Sequence, residues 1–158
     1  MDKLVLKQTD IGRSVFANRN FKKMEEIIEF QGGLLTYEQL PRPYNEDLYV
    51  QIGENLYMGP SGKLDDFINH SCNPNSGLRV DGRKAVLIAI KLIKKGAEIT
   101  WDYSTTMNEG DWEMDCACQS RKCRGRIRDF KYLPESIQRK YFELGVVPRY
   151  IVESLNLS

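Results

Sequence analysis

The sequence lacks the features that mark several large classes of protein. Its longest apolar run, residues 85–90, is far too short to cross a bilayer, and the first residues form no apolar leader of the secretory type. With 23 Lys and Arg against 22 Asp and Glu, the net charge of +1 argues neither for nor against nucleic-acid binding. We therefore expect no membrane association and no recognisable signal peptide, with a location in the cytoplasm, or in the nucleus of a eukaryote.

Histidine and cysteine are scarce as well. The chain has one histidine, His70, and four cysteines, and it contains neither repeats nor a low-complexity linker. A chain of 158 residues is long enough for a single domain to bury a core without disulfides. In a reducing compartment, clustered thiols are more often metal ligands than disulfides. Two disulfides are the alternative that four cysteines leave open.

The spacing of the cysteines favours a metal site. Cys116, Cys118 and Cys123 lie on one short segment, and Cys72 is far upstream in a polar loop. A structural zinc ion usually takes four thiolate or imidazole ligands in a tetrahedron, and Cys72 is the one other thiol that can complete the set. The pattern predicts one structural zinc ion that fastens a late segment to an earlier loop and keeps no open position for water.

Short runs of alternating apolar residues, separated by glycines, predict many short strands joined by turns. The end of the chain differs. Pro134 followed by an apolar stripe over residues 137–144 predicts a helix that Gly145 ends, and a second short helix is expected after Pro148. The predicted fold class is mainly β with short helices, including a C-terminal helical tail.

Two motifs precede the three clustered cysteines. Residues 67–75, Phe-Ile-Asn-His-Ser-Cys-Asn-Pro-Asn, are dense in side chains that bond their own backbone and indicate a rigid polar loop. Residues 98–103, Glu-Ile-Thr-Trp-Asp-Tyr, form a strand that ends in two aromatic residues around an acid. In this order, and with Cys-x-Cys-x4-Cys behind them, the motifs resemble those of SET-domain protein lysine methyltransferases with a post-SET zinc-binding segment. The resemblance covers roughly residues 3–128.

This resemblance implies a fold and a division of the chain. The family fold consists of small twisted sheets with a pseudoknot, which brings the loop around Asn69 beside Tyr103. The expected parts are a SET domain over residues 1–112, a post-SET zinc loop over residues 113–128 and a C-terminal helical extension over residues 129–158. We expect the three to form one compact unit.

The resemblance also implies an activity. It predicts a lysine N-methyltransferase that moves a methyl group from S-adenosylmethionine to a lysine of a basic protein, such as a histone or a histone-like protein, and releases S-adenosylhomocysteine. It assigns the catalytic role to Tyr103 and the lysine channel to Trp101 and Tyr103. The alternatives are a strand-end residue packed in the core for Tyr103, a satisfied structural residue for the lone histidine, and ordinary core packing for Ile127. The cofactor contacts that it assigns are Gly12, Arg13, Ser14, Asn69, His70, Tyr103 and Ile127.

Two residues depart from the family pattern. Ser14 stands where a second glycine is usual, and its Cβ puts cofactor affinity in doubt because close approach of the backbone is wanted there. Trp101 stands where phenylalanine or tyrosine is usual. Without a phenol it resembles the phenylalanine case, which permits higher methylation, whereas its bulk argues the other way. The product state stays open, with di- or trimethylation favoured.

The distribution of acidic residues suggests the substrate. Acids outnumber bases from residue 38 to residue 66, and four more follow Tyr103. In the family these regions flank the peptide groove, so a basic peptide would be complementary; a solvated acidic face is the alternative. The acids concerned are Glu38, Glu46, Asp47, Glu54, Asp65, Asp66, Glu109, Asp111, Glu113 and Asp115.

Two other functions compete with the enzyme. One is a non-catalytic SET-fold module that binds basic peptides, which Ser14 favours and Tyr103 opposes. The other is a zinc-dependent nucleic-acid binder that uses the basic run 121–128. We expect that run to solvate the zinc loop instead, so direct nucleic-acid binding is not expected. The sequence does not distinguish a monomer from a homodimer.

Overall fold

A computed structural model describes residues 2–45 and 48–156. Over these residues the chain forms small sheets with two short α-helices, α1 (Glu135–Glu143) and α2 (Arg149–Leu155), which confirms the predicted mainly β class with a helical tail. Neither helix is long and apolar enough to cross a membrane. The strands are β1 (Leu4–Thr9), β2 (Gly12–Ala17), β3 (Glu26–Phe30), β4 (Leu34–Leu35), β5 (Val50–Gly53), β6 (Leu56–Met58), β7 (Asn69–His70), β8 (Ser76–Asp81), β9 (Lys84–Ala89), β10 (Thr100–Trp101), β11 (Glu113–Asp115) and β12 (Arg126–Arg128). Short 3-10 turns lie at Tyr37–Gln39, Leu64–Phe67, Tyr103–Thr105 and Phe130–Tyr132.

Most strands pair with neighbours in antiparallel fashion. Two sheets have three strands each, in the orders β3-β9-β8 and β4-β6-β5, and β1-β2 and β11-β12 form separate two-stranded hairpins. The β8–β9 hairpin turns through Gly82, whose φ of 60° lies in the left-handed region that glycine adopts without a steric penalty. Short strands with glycine turns are thus what the sequence pattern predicted.

Among the strands that the structure describes, β7 and β10 form a parallel pair. β7 pairs with β10 in the register Thr100–Asn69 and Trp101–His70, and the Ser71 amide extends the contact by donating to the Trp101 carbonyl at 3.0 Å. Parallel strands need a long connection, which the β8–β9 hairpin supplies here. The pair lays the Asn69 loop beside the strand that leads to Tyr103, as the resemblance implied.

Strand β9 separates two apolar cores. Leu87 is fully buried in the larger core among the sheets, and Ile88 is fully buried in a smaller core beneath the tail helices. Because alternate residues of a strand point to opposite faces, a strand buried on both faces reads as a continuous apolar run. This accounts for the uninterrupted hydrophobicity of residues 85–90.

The tail packs closely on the β3-β9-β8 sheet. α1 ends before Gly145, whose φ is 74°, as predicted from the sequence. The following residue, Val146, is fully buried against Gly77 of β8; a Cβ on Gly77 would lie 2.7 Å from the nearest Val146 methyl carbon. Such close backbone approach requires glycine at that position, so the tail and the sheet fit each other at this contact.

Candidate functional site

The structure brings the four cysteines together. The sulfur atoms of Cys72, Cys116, Cys118 and Cys123 all lie within 4.8 Å of one another, and all four thiols are free. Cys116 Sγ lies 3.7 Å from both Cys72 Sγ and Cys123 Sγ, much too far for a disulfide bond of about 2.0 Å. The three-plus-one grouping predicted from the spacing is therefore present, and the two-disulfide alternative is not.

The donor set fits a zinc ion. A tetrahedron of sulfurs with Zn–S bonds of about 2.3 Å has edges of about 3.8 Å, close to the observed 3.7 Å separations. Burial raises the pKa of Cys72 to about 11, so a thiolate there needs a compensating cation. The backbone amides of Arg124 and Gly125 each approach a sulfur, Cys72 Sγ and Cys123 Sγ respectively, at 3.4 Å, as expected around metal-bound thiolates. Four protein ligands leave a structural zinc site without an open position.

A cleft of about 330 Å³ lies next to the cysteine cluster. One wall is the turn between β1 and β2, the second is the Asn69 loop with the start of β10, and the third is the loop between Cys116 and Cys123. The cysteine cluster therefore fixes one wall of the cleft. The lining residues are Thr9, Asp10, Ile11, Asn69, His70, Ser71, Glu98, Thr100, Ala117, Cys118 and Gln119.

Ser14 holds the Asn69 side chain in place through a hydrogen bond. The Asn69 amide nitrogen donates to Ser14 Oγ at 2.8 Å, and it also lies 3.3 Å from a Glu98 carboxylate oxygen. Ser14 is fully buried and is absent from the described lining of the cleft. The serine that departs from the family pattern thus orients a predicted cofactor contact.

The predicted contacts Gly12, Arg13 and Ile127 are not among the described residues that line this cleft. Gly12 begins β2 with a φ of 115°, and the Arg13 guanidinium stacks over the Phe67 ring at 4.2 Å. Ile127 is 1% exposed, belongs to the larger core and is not among the described lining residues. The turn of residues 9–11, which sequence reasoning missed, borders the cleft instead.

His70 links the cysteine cluster to Tyr103. Its Nδ1 accepts a hydrogen bond from the Tyr103 backbone amide at 3.1 Å, so the ring proton is on Nε2, which lies 3.3 Å from Cys72 Sγ. Burial lowers the pKa of His70 to about 4, although the carboxylate of Asp102 at 3.7 Å opposes the shift. The imidazole is therefore neutral and serves as a connector rather than as a base.

Tyr103 and Trp101 lie together in the wall of a narrow cavity of about 20 Å³. Their ring centroids are 5.0 Å apart, and the Tyr103 hydroxyl donates to the Ile68 carbonyl at 2.9 Å. Aromatic and aliphatic side chains predominate in the lining. The cavity is lined by Phe30, Tyr49, Val50, Asp65, Ile68, Trp101, Tyr103, Thr106, Met107 and Trp112.

Two of these lining residues hold buried polar atoms without a hydrogen-bond partner. Among the residues that the structure describes, the atoms in this state are Thr106 Oγ1, Trp112 Nε1 and Asp129 Oδ1. Thr106 and Trp112 line the cavity with Tyr103, and sequence reasoning missed both. Neither residue belongs to one of the motifs, so only the fold reveals them.

Asp102 is the most densely bonded carboxylate near Tyr103. Asp102 is 1% exposed and accepts hydrogen bonds from both terminal nitrogens of Arg124, at 2.8 and 2.9 Å. It also accepts one from the Ser104 amide, at 3.0 Å. The fourth donor is the Tyr141 hydroxyl, at 3.0 Å. Burial is the largest single influence and lowers the pKa of Arg124, but the hydrogen bonds to Asp102 and the attraction of nearby negative charge together outweigh it and raise the pKa of the guanidinium. In the sequence, Arg124 belongs to the basic run expected to solvate the zinc loop and Tyr141 to the apolar stripe of the tail helix, and neither pattern predicts the bond to Asp102.

The acidic residues divide into groups with different surroundings. Asp65 and Asp66 bond the loop before them through the Ser61 hydroxyl and the amides of residues 61 and 62. Glu113 and Asp115 pair with Arg126. Four acids remain, and they line a cleft of about 540 Å³: Glu38, Glu54, Glu109 and Asp111. Glu46 and Asp47 lie outside the described residues.

A row of tyrosine rings joins this acidic cleft to the narrow cavity. Tyr49 lines the cavity, its ring contacts Tyr44 at 6.0 Å, and Tyr44 contacts Tyr57 of the acidic cleft at 6.3 Å. The hydroxyls of Tyr44 and Tyr57 both donate to Glu109, at 2.5 and 2.8 Å. The rings of Tyr49, Tyr44 and Tyr57 therefore connect the two depressions.

Comparisons with known proteins agree with this geometry. Histone-lysine N-methyltransferase 2B of Homo sapiens is 30% identical over 131 residues, 72% of this chain and 5% of the relative. The probable histone-lysine N-methyltransferase set-23 of Caenorhabditis briggsae is 28% identical over 152 residues, 84% of this chain and 61% of the relative. This chain thus spans less than two thirds of the length of either relative.

A solved structure has a similar fold. It is KRYPTONITE in complex with mCHH DNA, an H3(1-15) peptide and SAH, with a TM-score of 0.64 and 20% sequence identity, over 78% of this chain and 29% of that chain. The SET-domain family pattern matches residues 12–104, which include the paired strands β7 and β10 and end just after Tyr103. This chain therefore belongs to the SET-domain family.

Proposed function

We propose that the chain is a protein lysine N-methyltransferase that uses S-adenosylmethionine. The observation that carries the proposal is the position of Tyr103, whose ring lines the narrow cavity while its amide bonds His70, a lining residue of the 330 Å³ cleft. One residue thus connects a site for a target side chain with a site for a methyl donor. The relatives are named histone-lysine N-methyltransferases, and the similar solved structure contains SAH, which supports the same reading.

The lining of the narrow cavity suits the chemistry of a target lysine. Methyl transfer requires a neutral amine, and deprotonating a free lysine of pKa about 10.4 at neutral pH costs about 4 kcal/mol. Apolar walls such as Phe30, Trp101 and Met107 disfavour the charged form and exclude water. Aromatic faces still attract the methylated, charged product. The cavity therefore lowers the cost of deprotonation without preventing the product from binding.

Tyr103 orients the reacting amine in this proposal. Its hydroxyl is fixed by the hydrogen bond to the Ile68 carbonyl, and its backbone is fixed by His70. When bound, S-adenosylmethionine would supply a methyl group to the neutral amine, which would become a charged methylammonium as the sulfonium becomes a neutral thioether. The proton that the lysine ammonium must lose beforehand would pass to water. Asn69, held by Ser14, and the loop of residues 117–119 border the cleft where the donor would lie.

The proposed substrate is a basic protein such as a histone or a histone-like protein. Glu38, Glu54, Glu109 and Asp111 line the cleft beside the lysine cavity and would attract basic side chains that flank the target lysine. The similar solved structure binds an H3 peptide, which supports a peptide substrate of this kind. The proposed location is the cytoplasm or, in a eukaryote, the nucleus, and we expect no direct binding to nucleic acid.

The test is the substitution Tyr103→Phe. Loss of the orienting hydroxyl should lower kcat by about a hundredfold, while zinc content and S-adenosylhomocysteine affinity stay within twofold of wild type. Transfer from labelled cofactor to a panel of basic peptides, followed by mass spectrometry, measures the rate. Tyr132→Phe is the matched control, because its ring is 45% exposed. Wild-type rates in the Tyr103 variant would contradict the proposal.

The competing function, a non-catalytic reader of basic peptides, rested on Ser14. That side chain faces Asn69 from behind the cleft, an observation that supports the enzyme instead. Calorimetry with S-adenosylmethionine separates the two functions, because an enzyme must bind the cofactor and a pure reader need not. Peptide binding without any cofactor binding would favour the reader.

A further inference from the structure

The helical tail reaches the catalytic strand through one side chain. Tyr141 lies in α1, is 3% exposed, and donates its hydroxyl to Asp102 Oδ2 at 3.0 Å. Asp102 immediately precedes Tyr103. Burial and then the Asp102 carboxylate raise the pKa of Tyr141 above its usual value, so the phenol remains a donor. A residue outside the family match thus touches the residue next to the proposed catalytic tyrosine.

The Asp102 carboxylate has no spare capacity for hydrogen bonds. A carboxylate offers about four acceptor sites, and four donors occupy them: two from Arg124, one from the Ser104 amide and one from Tyr141. The side chain of Asp102 is fully buried, so water does not readily replace a lost donor. The four donors belong to three residues, and Tyr141 is the contribution of the tail.

These bonds surround the backbone that orients Tyr103. The Ser104 amide, on one side of Tyr103, bonds Asp102 Oδ1. The Tyr103 amide bonds His70 Nδ1, which lies 3.7 Å from the same oxygen. A carboxylate that loses one donor can rotate, and its rotation changes the contacts on both sides of the tyrosine. The position of the Tyr103 ring in the narrow cavity therefore depends on Asp102 being fully bonded.

We propose that Tyr141 is a positioning residue for methyl transfer, which acts by locking the Asp102 carboxylate and, through it, the backbone of Tyr103. The inference rests on the proposed function for its kinetic consequence, but the structural lock does not. The proposal gives the tail a role beyond covering the sheet. The smaller core holds α1 in a position from which the Tyr141 hydroxyl reaches Asp102.

Tyr141→Phe tests the lock because it keeps the ring and removes the hydroxyl. We expect kcat to fall by about tenfold, equivalent to about 1.4 kcal/mol in the activation barrier, with the KM of both substrates within about threefold of wild type. The matched control is Val146→Ala, in the same tail and the same core but without contact to Asp102. It should lower the melting temperature at least as much and leave kcat within twofold at temperatures below unfolding.

Amide hydrogen exchange by NMR gives a readout that does not depend on catalysis. Tyr141→Phe should accelerate exchange at the amides of Ser104 and Tyr103, and Val146→Ala should not do so selectively. If wild-type protein transfers no methyl group, the proposed function fails. The exchange data alone then decide whether Tyr141 restrains Asp102 and the backbone of Tyr103. Unchanged exchange at both amides, or an equal loss of kcat in the two variants, would overturn the inference.

A double-mutant cycle provides the final check. In an Asp102→Asn background the amide nitrogen already disrupts the carboxylate network, so adding Tyr141→Phe should lower kcat by less than twofold. Full additivity of the two effects would mean that Tyr141 acts by another route. If the Asp102 variant does not fold, the comparison of Tyr141→Phe with Val146→Ala still decides the matter.

Discussion

At the scale of single residues, three residues hold the buried Asp102 carboxylate beside Tyr103: Ser104, Arg124 and Tyr141. The cysteines, Asn69 and Tyr103 could be proposed as site residues from the sequence because each belongs to a short motif with a fixed order. Arg124 and Tyr141 could not, because their roles depend on contacts with Asp102, which lies far from both along the chain. An apolar stripe on α1 accounts for the burial of Tyr141 but not for its hydroxyl bond.

Trp101 is expected to set the number of methyl groups. Its ring lies between Phe30 and Tyr103, at centroid distances of 6.0 and 5.0 Å, and brings no phenol to the cavity. We predict di- or trimethylation by the wild type and, for Trp101→Tyr, a fall of about tenfold in the higher methylation states, because a new hydroxyl can bind the amine and occupy space that a methyl group needs. Mass spectrometry of a methylated peptide measures this, and an unchanged product distribution would reject it.

Ser14 is expected to support cofactor binding rather than to weaken it. Its hydroxyl accepts from the Asn69 amide at 2.8 Å, a bond worth about 1 kcal/mol. Ser14→Ala should therefore weaken S-adenosylhomocysteine binding by about fivefold in calorimetry, and Ser14→Gly should not improve it. Ser154→Ala is the control, because that hydroxyl bonds a carbonyl within α2. Tighter binding by the glycine variant would restore the original concern about Ser14.

At the scale of elements, the zinc loop supplies one wall of the 330 Å³ cleft through residues 117–119. Strands β11 and β12 pair only with each other, and the loop between them carries three of the four cysteines. The element's existence could be predicted from the cysteine spacing, because metal geometry limits how far apart the ligands can be. Its attachment through Arg124 to Asp102 could not, because an arginine beside cysteines carries no sign of its partner.

Removal of the metal by a chelator should disorder the zinc loop and leave the rest of the fold intact. We predict that metal-free protein loses order over roughly residues 113–128 and all activity, while the β3-β9-β8 sheet stays folded, because zinc contributes about 10–16 kcal/mol to small modules that depend on it. NMR amide shifts in β8 and β11, recorded before and after chelation, report the two regions separately. Added zinc should restore both order and activity. Full activity without metal would show that the cluster has another purpose.

At the scale of the whole molecule, the tail and the sheet form a second core that composition did not reveal. The run of residues 85–90 was visible in the sequence, but its two-sided burial depends on the tail covering Ile88 and Ile90. The acidic residues illustrate the same limit. Their number predicted an acidic face, whereas the structure divides them among loop bonds, ion pairs and one cleft.

The fit of tail to sheet can be measured at Gly77. Gly77→Ala places a Cβ 2.7–3.0 Å from three carbon atoms of Val146, and overpacking of this kind should destabilise the protein by about 1–3 kcal/mol. For a chain of this size the melting temperature should fall by about 2–4 °C per kcal/mol. Gly33→Ala is the matched control, since no atom lies within 4 Å of its added Cβ. Equal melting temperatures for the two variants would contradict the predicted close packing.

The parallel pairing of β7 with β10 determines when the cleft can form during folding. The pair joins residue 69 to residue 100, so the two ends of the intervening segment must come together before the pair can form. Bringing them together costs conformational entropy, which is offset only by the contacts that form afterwards. No fragment that ends before β10 contains the complete 330 Å³ cleft, because Thr100 lines it. A ligand that binds there recognises only the finished fold, and its binding energy is added to the stability of the entire chain.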